Sequence, residues 1–213
     1  MPSFTPFFTR QDINEAKIPV KLLHDGRLFN ARVFQVEAEG QQWVLRDFAP
    51  RPFYVRALLR LVTRHEVKIL KCLTGVRNVS QLAFQLDKNA VVLSYFPGES
   101  LLTADPKRIT VEFLEKLEKL TRTLHEAGIV HLDIRGNKNV LITPEGDPAI
   151  IDFQSGLRTY WMPKWLRKTL EDIDLSGAYK KWLAFQPDAM GDGRRRELER
   201  INRIRRFWIF RGW

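Results

Sequence analysis

Apolar residues recur along this chain with two periods, and the switch from one to the other marks its elements. From Phe29 to Glu37 apolar and polar positions alternate, Glu39-Gly40 interrupts, and Gln42 to Phe48 runs back. Alternation sends successive side chains to opposite faces, so this stretch predicts a β-hairpin. From Val55 to Leu73 the apolar positions are 55, 58, 59, 62, 69, 70 and 73, the 3.6-residue stripe of an amphipathic helix. Glu66 falls on that stripe. A carboxylate on a buried face is costly unless paired. Glu66 therefore either meets a cation from the neighbouring sheet or sits at the stripe's edge with its carboxylate in water. Ala90 to Tyr95 is a β-type run broken by Phe96-Pro97-Gly98, a candidate hinge. Asp105-Pro106 has the chemistry of a helix start. Val111 to Ala127 follows with Phe113, Leu114, Leu117, Leu120 and Leu124 on one face, and Gly128 stops it. Asp174 to Phe185 and Arg194 to Arg206 also read as helices. Residues 1–25 carry little periodic signal.

Composition narrows the class. The 213 residues are 44% hydrophobic and 28% charged, which suits a globular chain of two lobes or two small domains. No run approaches the roughly 18 apolar residues of a membrane span, and the N-terminus lacks the basic start and apolar core of a signal peptide. The single cysteine, Cys72, excludes a disulfide framework and is expected to be a small buried hydrophobe. A cytoplasmic chain is the expectation. Charge is uneven: of the net +10, residues from Leu157 onward contribute +7, from 14 Lys and Arg against 7 Asp and Glu.

The richest stretch in chemistry is HLDIRGNKNVLITPEGDPAIIDFQSG, His131 to Gly156. Asp133 and Asp152 stand nineteen positions apart, each beside a short apolar run, with a turn bearing Pro and Gly between the runs. Phosphoryl transfer asks little covalent help of a protein; it needs positioning and charge. One Asp must orient an acceptor hydroxyl and receive its proton, a role for Asp133. A second must hold Mg²⁺, a role for Asp152. Asn139 is a natural third oxygen donor because Val140-Leu141-Ile142 leaves it as a strand; Asn137 is the alternative. His131 would buttress the loop.

These residues carry a resemblance. His131-Leu132-Asp133 through Asn139, and Ile151-Asp152-Phe153, resemble the catalytic loop and metal-binding motif of the protein-kinase-like superfamily. Trp43-Val44-Leu45-Arg46 resembles the strand carrying the phosphate-contacting cation, and His65-Glu66-Val67-Lys68-Ile69-Leu70 the helix whose Glu pairs with it. Leu93 to Gly98 resembles the hinge, which implies nucleotide contacts from Ser94, Tyr95 and Phe96. Within the superfamily the chain is most similar to small bacterial kinases of the lipopolysaccharide inner core, which act on 3-deoxy-D-manno-octulosonic acid or heptose, and to RIO-type kinases. The implied fold is α+β and two-lobed, with a small β-rich N-lobe over residues 1–96 and a short helical C-lobe over 97–213. The implied cofactors are ATP and Mg²⁺. The implied reaction is transfer of the γ-phosphate to a hydroxyl, of a lipid-linked inner-core sugar first, of a protein second; a pseudokinase serving as a binding module is the remaining class. The chain departs from the superfamily pattern in five places. Arg46 replaces the usual Lys, keeping charge and fork geometry. The loop from Asp133 to Asn139 is one residue longer than the common spacing. Asp-Phe-Gln replaces Asp-Phe-Gly, and Leu132 replaces an Arg that often clamps a phosphorylated loop. The segment Asp25 to Asn30, with one glycine, stands where the phosphate-covering loop belongs.

The C-terminal third raises a separate question. Tyr160 to Lys168 interleaves aromatics with bases, five of six tryptophans lie between 161 and 213, and the chain closes on Phe207-Trp208-Ile209-Phe210-Arg211-Gly212-Trp213. Three readings compete: an anionic membrane surface, which a lipid-linked acceptor favours; aromatics completing the core beneath a solvated basic face; and, last, nucleic acid. The first places the chain peripherally on the inner face of the cytoplasmic membrane.

Overall fold

The computed structural model describes residues 6–206, and side chains through 204. It divides into two compact units. The first comprises the chain up to Gly75 and Ser80–Tyr95; the second comprises Val76–Val79 and the chain from Phe96 onward. The boundary thus falls one residue before the expected 96/97 division. The short segment 76–79 belongs with the second unit because the amide of Ile150 donates to Asn78 O at 2.9 Å and Val79 bridges Ile150.

The first unit contains α1 (Arg10–Asn14), β1 (Val20–Asp25), β2 (Arg32–Ala38), β3 (Gln41–Asp47), α2 (Phe53–Cys72), β4 (Leu82–Asp87) and β5 (Ala90–Ser94). The strands form one antiparallel sheet in the order β1-β2-β3-β5-β4. The predicted hairpin is β2–β3. Glu39 and Gly40 both have positive φ, 55° and 68°, the backbone of a two-residue turn whose twist matches its strands. One sheet face buries Val36, Leu45, Phe84 and Val92, against which Phe8 packs. Arg10 fastens the N-terminal segment to this sheet through Asp47, at 2.7 Å, and Asp87. β1 is exposed along its whole length, which explains why residues 1–25 show no alternation.

Helix α2 buries Val55, Leu59, Thr63, Glu66, Ile69 and Leu70. Five of the seven predicted stripe positions, Val55, Leu59, Ile69, Leu70 and Leu73, are buried; Leu58 is exposed, and Thr63 and Glu66 complete the buried line. Cys72, expected inside, is exposed: it is the last residue of the helix, and Leu73 takes the core position instead.

The second unit contains β6 (Glu99–Ser100), α3 (Val111–Glu126), β7 (Ile129–Val130), β8 (Val140–Ile142), β9 (Pro148–Ile150), β10 (Leu157–Arg158), α4 (Lys164–Phe185) and α5 (Asp192–Arg206). Two small sheets, β6-β8-β9 and β7-β10, sit among the helices. Asp105-Pro106 opens only a 3₁₀ turn; α3 starts after Thr110, whose hydroxyl accepts from the amide of Phe113. The helix predicted from Asp174 is the second half of the 22-residue α4, so Asp174 lies mid-helix rather than at a cap. The first half escaped notice because Lys164, Trp165 and Lys168 face solvent and leave no apolar stripe. Trp182 and Tyr179 are fully buried, and the Arg194 guanidinium from α5 lies 4.2 Å from the Trp182 ring centroid. The core reading of the C-terminal aromatics therefore holds for Trp182, but Trp161 and Trp165 are 65% and 67% exposed. No helix among the described residues is long and apolar enough to cross a membrane.

Candidate active site

In the first unit the cation and the carboxylate picked from sequence meet. Arg46 stands on β3, opposite Val33 and Val91, and its Nη1 donates to Glu66 Oε1 at 2.7 Å and Oε2 at 2.9 Å. Glu66 is 2% exposed. The inward reading of Glu66 is the observed one: removed from water, its carboxylate is compensated by a charge-assisted pair. Ser94 ends β5, its Oγ accepting from the Gln81 amide at 2.9 Å. Tyr95 closes the first unit and Phe96 opens the second.

In the second unit the loop after β7 carries Asp133. Asn139 Nδ2 donates to Asp133 Oδ2 at 2.6 Å and to the Asp133 carbonyl at 3.1 Å. The β8–β9 hairpin supplies the register: Val140 pairs with Ile150, and the Ile151 amide donates to Asn139 O at 2.9 Å. Asp152 is thus the next residue along a strand already bonded to Asn139. Asn137 has a different partner, Lys181, whose Nζ donates to its Oδ1 at 2.8 Å. Two oxygen-bearing side chains of this kind suit a hard cation that keeps water and phosphate as its other ligands, so Asn139 and Asp152 fit Mg²⁺. No cluster of three or more His, Cys, Asp or Glu able to hold a metal occurs among the described residues, and Mg²⁺ does not require one.

The loop is held from behind. His131 is fully buried; its Nδ1 accepts from the Asp133 amide at 3.2 Å, so Nε2 carries the proton and donates to Ile151 O at 3.0 Å. Its ring also meets Phe153 edge-on, centroids 4.7 Å apart. His131 therefore ties the Asp133 loop to the Asp152 strand and acts as a positioning residue. Leu132, next in the chain, has φ +64°, a left-handed backbone that a branched aliphatic residue adopts only under constraint. The constraint is Asp174, mid-α4. Its carboxylate accepts from the His131 and Leu132 amides, both at 2.6 Å, and lies 3.2 Å from His125 Nε2. Asp152 has φ +66°, so both aspartates of the site adjoin or occupy strained backbone, as functional loops often do.

A cavity of ≈ 350 Å³ opens beside Asp133, lined by Leu132 to Gly136 on one side and by Ile173 and Ser176 of α4 on the other. Gly136 leaves room for the Asp133–Asn139 pair: a Cβ there would stand 3.2 Å from Asp133 Oδ1 and 3.4 Å from Asn139 Nδ2.

Sequence reading missed Asp174, Lys181 and Gly136. The signal was there for the first two. Both are charged residues in a helical segment rich in apolar neighbours, seven positions apart and so on one face; the reasoning that singled out Glu66 applies to them too. The closing aromatic segment Phe207 to Trp213 lies outside the described residues.

Comparison with known proteins puts the chain among proteins of protein-kinase-like fold, the class of the kinases. More narrowly, it belongs to the RIO-domain family, whose family model matches residues 29–174, the span from the β2 strand's lead-in to Asp174. The chain is similar to mitogen-activated protein kinase kinase kinase 19 of human, 31% identical over 106 residues, and of mouse, 29% identical over the same length. Those matches take in 46% of this chain and only 8% of either relative. Among solved structures it shares its fold with the Rio2 kinase of Chaetomium thermophilum, determined as an ADP/Mg²⁺-phosphoaspartate complex. The TM-score is 0.60 at 16% identity, covering 92% of this chain and 74% of that one.

Proposed function

We propose that this chain is a RIO-type kinase that transfers the γ-phosphate of ATP to a protein hydroxyl. The observation that carries this reading is the Asp133–Asn139 pair on a loop braced by His131 and Asp174, within the stretch matched by the RIO-domain model. Asp133 orients the acceptor hydroxyl, which enters the cavity bounded by Ile173 and Ser176, and takes up its proton as the bond to phosphorus forms. Arg46, held by Glu66, supplies positive charge for the nucleotide phosphates. Mg²⁺ held by Asn139 and Asp152 would neutralise charge on the phosphates. The family match favours a protein acceptor over the inner-core sugar. Incubation with γ-labelled ATP, Mg²⁺ and protein acceptors should yield acid-stable label on serine or threonine, lost in Asp133→Asn. Label found only on a lipid-linked saccharide would move the acceptor back to sugar. ATP binding without any turnover would make the chain a binding module.

One observation favours a second reading, about location and partner. Tyr160, Trp161 and Trp165 are each about two-thirds exposed, beside exposed Lys164 and Lys168. Aromatic rings at an interface and bases near anionic headgroups are the ingredients of peripheral membrane binding. We propose that this face docks on an anionic bilayer, which keeps a lipid-linked acceptor in play and the chain on the cytoplasmic side. Liposomes containing anionic lipid should float the protein, and Trp161→Ala with Trp165→Ala should release it. Flotation unchanged by those substitutions, or salt-sensitive binding to RNA instead, would refute the membrane face.

A further inference from the structure

Lys181 lies on α4, two turns past Asp174, and is 2% exposed. Its ammonium has few partners for so buried a charge: Asn137 Oδ1 at 2.8 Å and the Arg135 carbonyl at 3.4 Å. Both belong to the stretch between Asp133 and Asn139. One turn before Lys181, Gly177 brings the two backbones into contact; a Cβ there would stand 2.8 Å from Arg135 N and 3.2 Å from Ile134 C. Gly177 and Lys181 thus present one face of α4 to the loop, the first by having no side chain and the second by reaching around it.

A buried ammonium is costly, and the cost shows here. Burial pushes the Lys181 pKa down to about 8, against a partial offset from the Asp133 charge. A methionine or leucine would fill the same space without that cost. The charge therefore sits where it lowers stability, and what it touches is the loop that carries Asp133.

We infer that Lys181 is a positioning residue of the phosphoryl-transfer site: it clamps Asn137 and thereby fixes the turn that aims Asn139 at Asp133. The inference rests on the phosphotransferase reading above. The chain of contacts is continuous. Lys181 holds Asn137, and the 3₁₀ turn Asn137–Asn139 is closed at its start by Asn139 N donating to Gly136 O at 3.2 Å. The turn delivers Asn139 Nδ2 to Asp133 Oδ2. The loop is one residue longer than the spacing common in the superfamily it resembles, so Asn137 and Asn139 can compete for the place beside Asp133. An ammonium on Asn137 removes one competitor. In this account the extra residue and the buried lysine belong together.

The test compares Lys181→Met, Asn137→Ala and Asn137→Asp in the full chain. Loss of the clamp should lower kcat by about tenfold or more, because small misplacement of reacting groups is costly. The KM for ATP should change by less than about threefold, since nucleotide contacts are untouched. Asn137→Asp keeps an acceptor for the ammonium and should stay within about threefold of wild type. Lys181→Met combined with Asn137→Ala should be no worse than Lys181→Met alone. Additive losses, a change confined to KM, or Asn137→Ala and Asn137→Asp behaving alike would overturn the clamp. If Lys181→Met does not fold, the two Asn137 variants decide. If the wild type transfers no phosphate, the phosphotransferase reading fails by itself. The clamp is then judged by hydrogen exchange at the Gly136 and Asn139 amides: faster exchange in Asn137→Ala supports it, and unchanged exchange overturns it.

Discussion

The two halves of the chemistry are built on opposite plans. In the first unit the chemistry rests on side chains from two elements: Arg46 from a strand meets Glu66 from a helix. In the second unit Asp133 is fixed by the backbone around it. His131 ties its loop to Ile151, Asp174 holds two consecutive amides, and Lys181 holds Asn137. A pair joining two elements can break and reform as a unit, whereas a loop secured at three places stores strain, at Leu132 and Asp152, and keeps it. The comparison sets a cation held by a side-chain pair against a candidate catalytic carboxylate held through the backbone of its loop. Variants at the two places should fail differently.

Asp174→Ala should do the most damage. It leaves two buried amides without an acceptor and frees the left-handed Leu132, at a cost of roughly 2–5 kcal/mol of stability. Turnover should fall by about 100-fold or more, since the Asp133 loop loses its anchor. Thermal unfolding together with single-turnover assays checks this, and a variant of normal stability and normal rate would show that the anchor is dispensable.

Arg46 and Glu66 come next. Glu66→Gln and Arg46→Met should each raise the KM for ATP or lower turnover, by roughly tenfold, with a smaller effect on stability than Asp174→Ala. The double variant should be little worse than either single one, giving a coupling of about 1 kcal/mol or more. Purely additive losses would mean that the contact carries no function. These variants should also leave hydrogen exchange in the Asp133 loop unchanged, which sharpens the contrast between the two units.

The smallest effect concerns Lys181 and pH. Its pKa is near 8 when folded and near 10.5 when unfolded. The unfolded chain therefore binds more protons between those values, and stability gains as pH rises from about 8 to 10.5 and is lost again as pH falls. Lys181→Met removes this dependence. Near pH 7 it should be at least as stable as wild type, while the difference should reverse or shrink by about 1–3 kcal/mol at pH 10. Denaturant melts of both proteins at the two pH values measure it, and parallel pH profiles would show that Lys181 does not titrate in this range.

Much of this was legible in the sequence because the relevant signals are local. The hairpin, α2, α3 and the run from His131 to Asp152 each declare themselves through period, turn chemistry or residue order. Glu66 could be flagged because it is a charge on an apolar stripe. What stayed hidden depends on contacts far apart in the chain. Asp174 stands out in sequence only as a charge in an apolar helical segment; its partners, amides 42 and 43 positions earlier, show only once the loop is folded onto it. The first half of α4 shows no stripe because its aromatic and basic residues face outward. β1 shows none because it is an exposed edge. Leu58 lies beside the buried line and Cys72 at the helix end, two places where periodicity alone does not decide burial. The competition between Asn137 and Asn139 could not be settled by counting; the side-chain partners, Lys181 for one and Asp133 for the other, distinguish them.

The claim that Asp133 drives phosphoryl transfer is tested most directly by separating binding from chemistry in one variant. ATP affinity in the presence of Mg²⁺ is measured by calorimetry for wild type and Asp133→Asn, and γ-phosphate transfer is followed in both under single-turnover conditions. The account predicts affinities within about threefold and a transfer rate lower in the variant by about 100-fold or more, the usual contribution of a positioned acid–base group. A variant that transfers phosphate within about tenfold of wild type, or a wild type that binds ATP and never transfers it, would contradict the account.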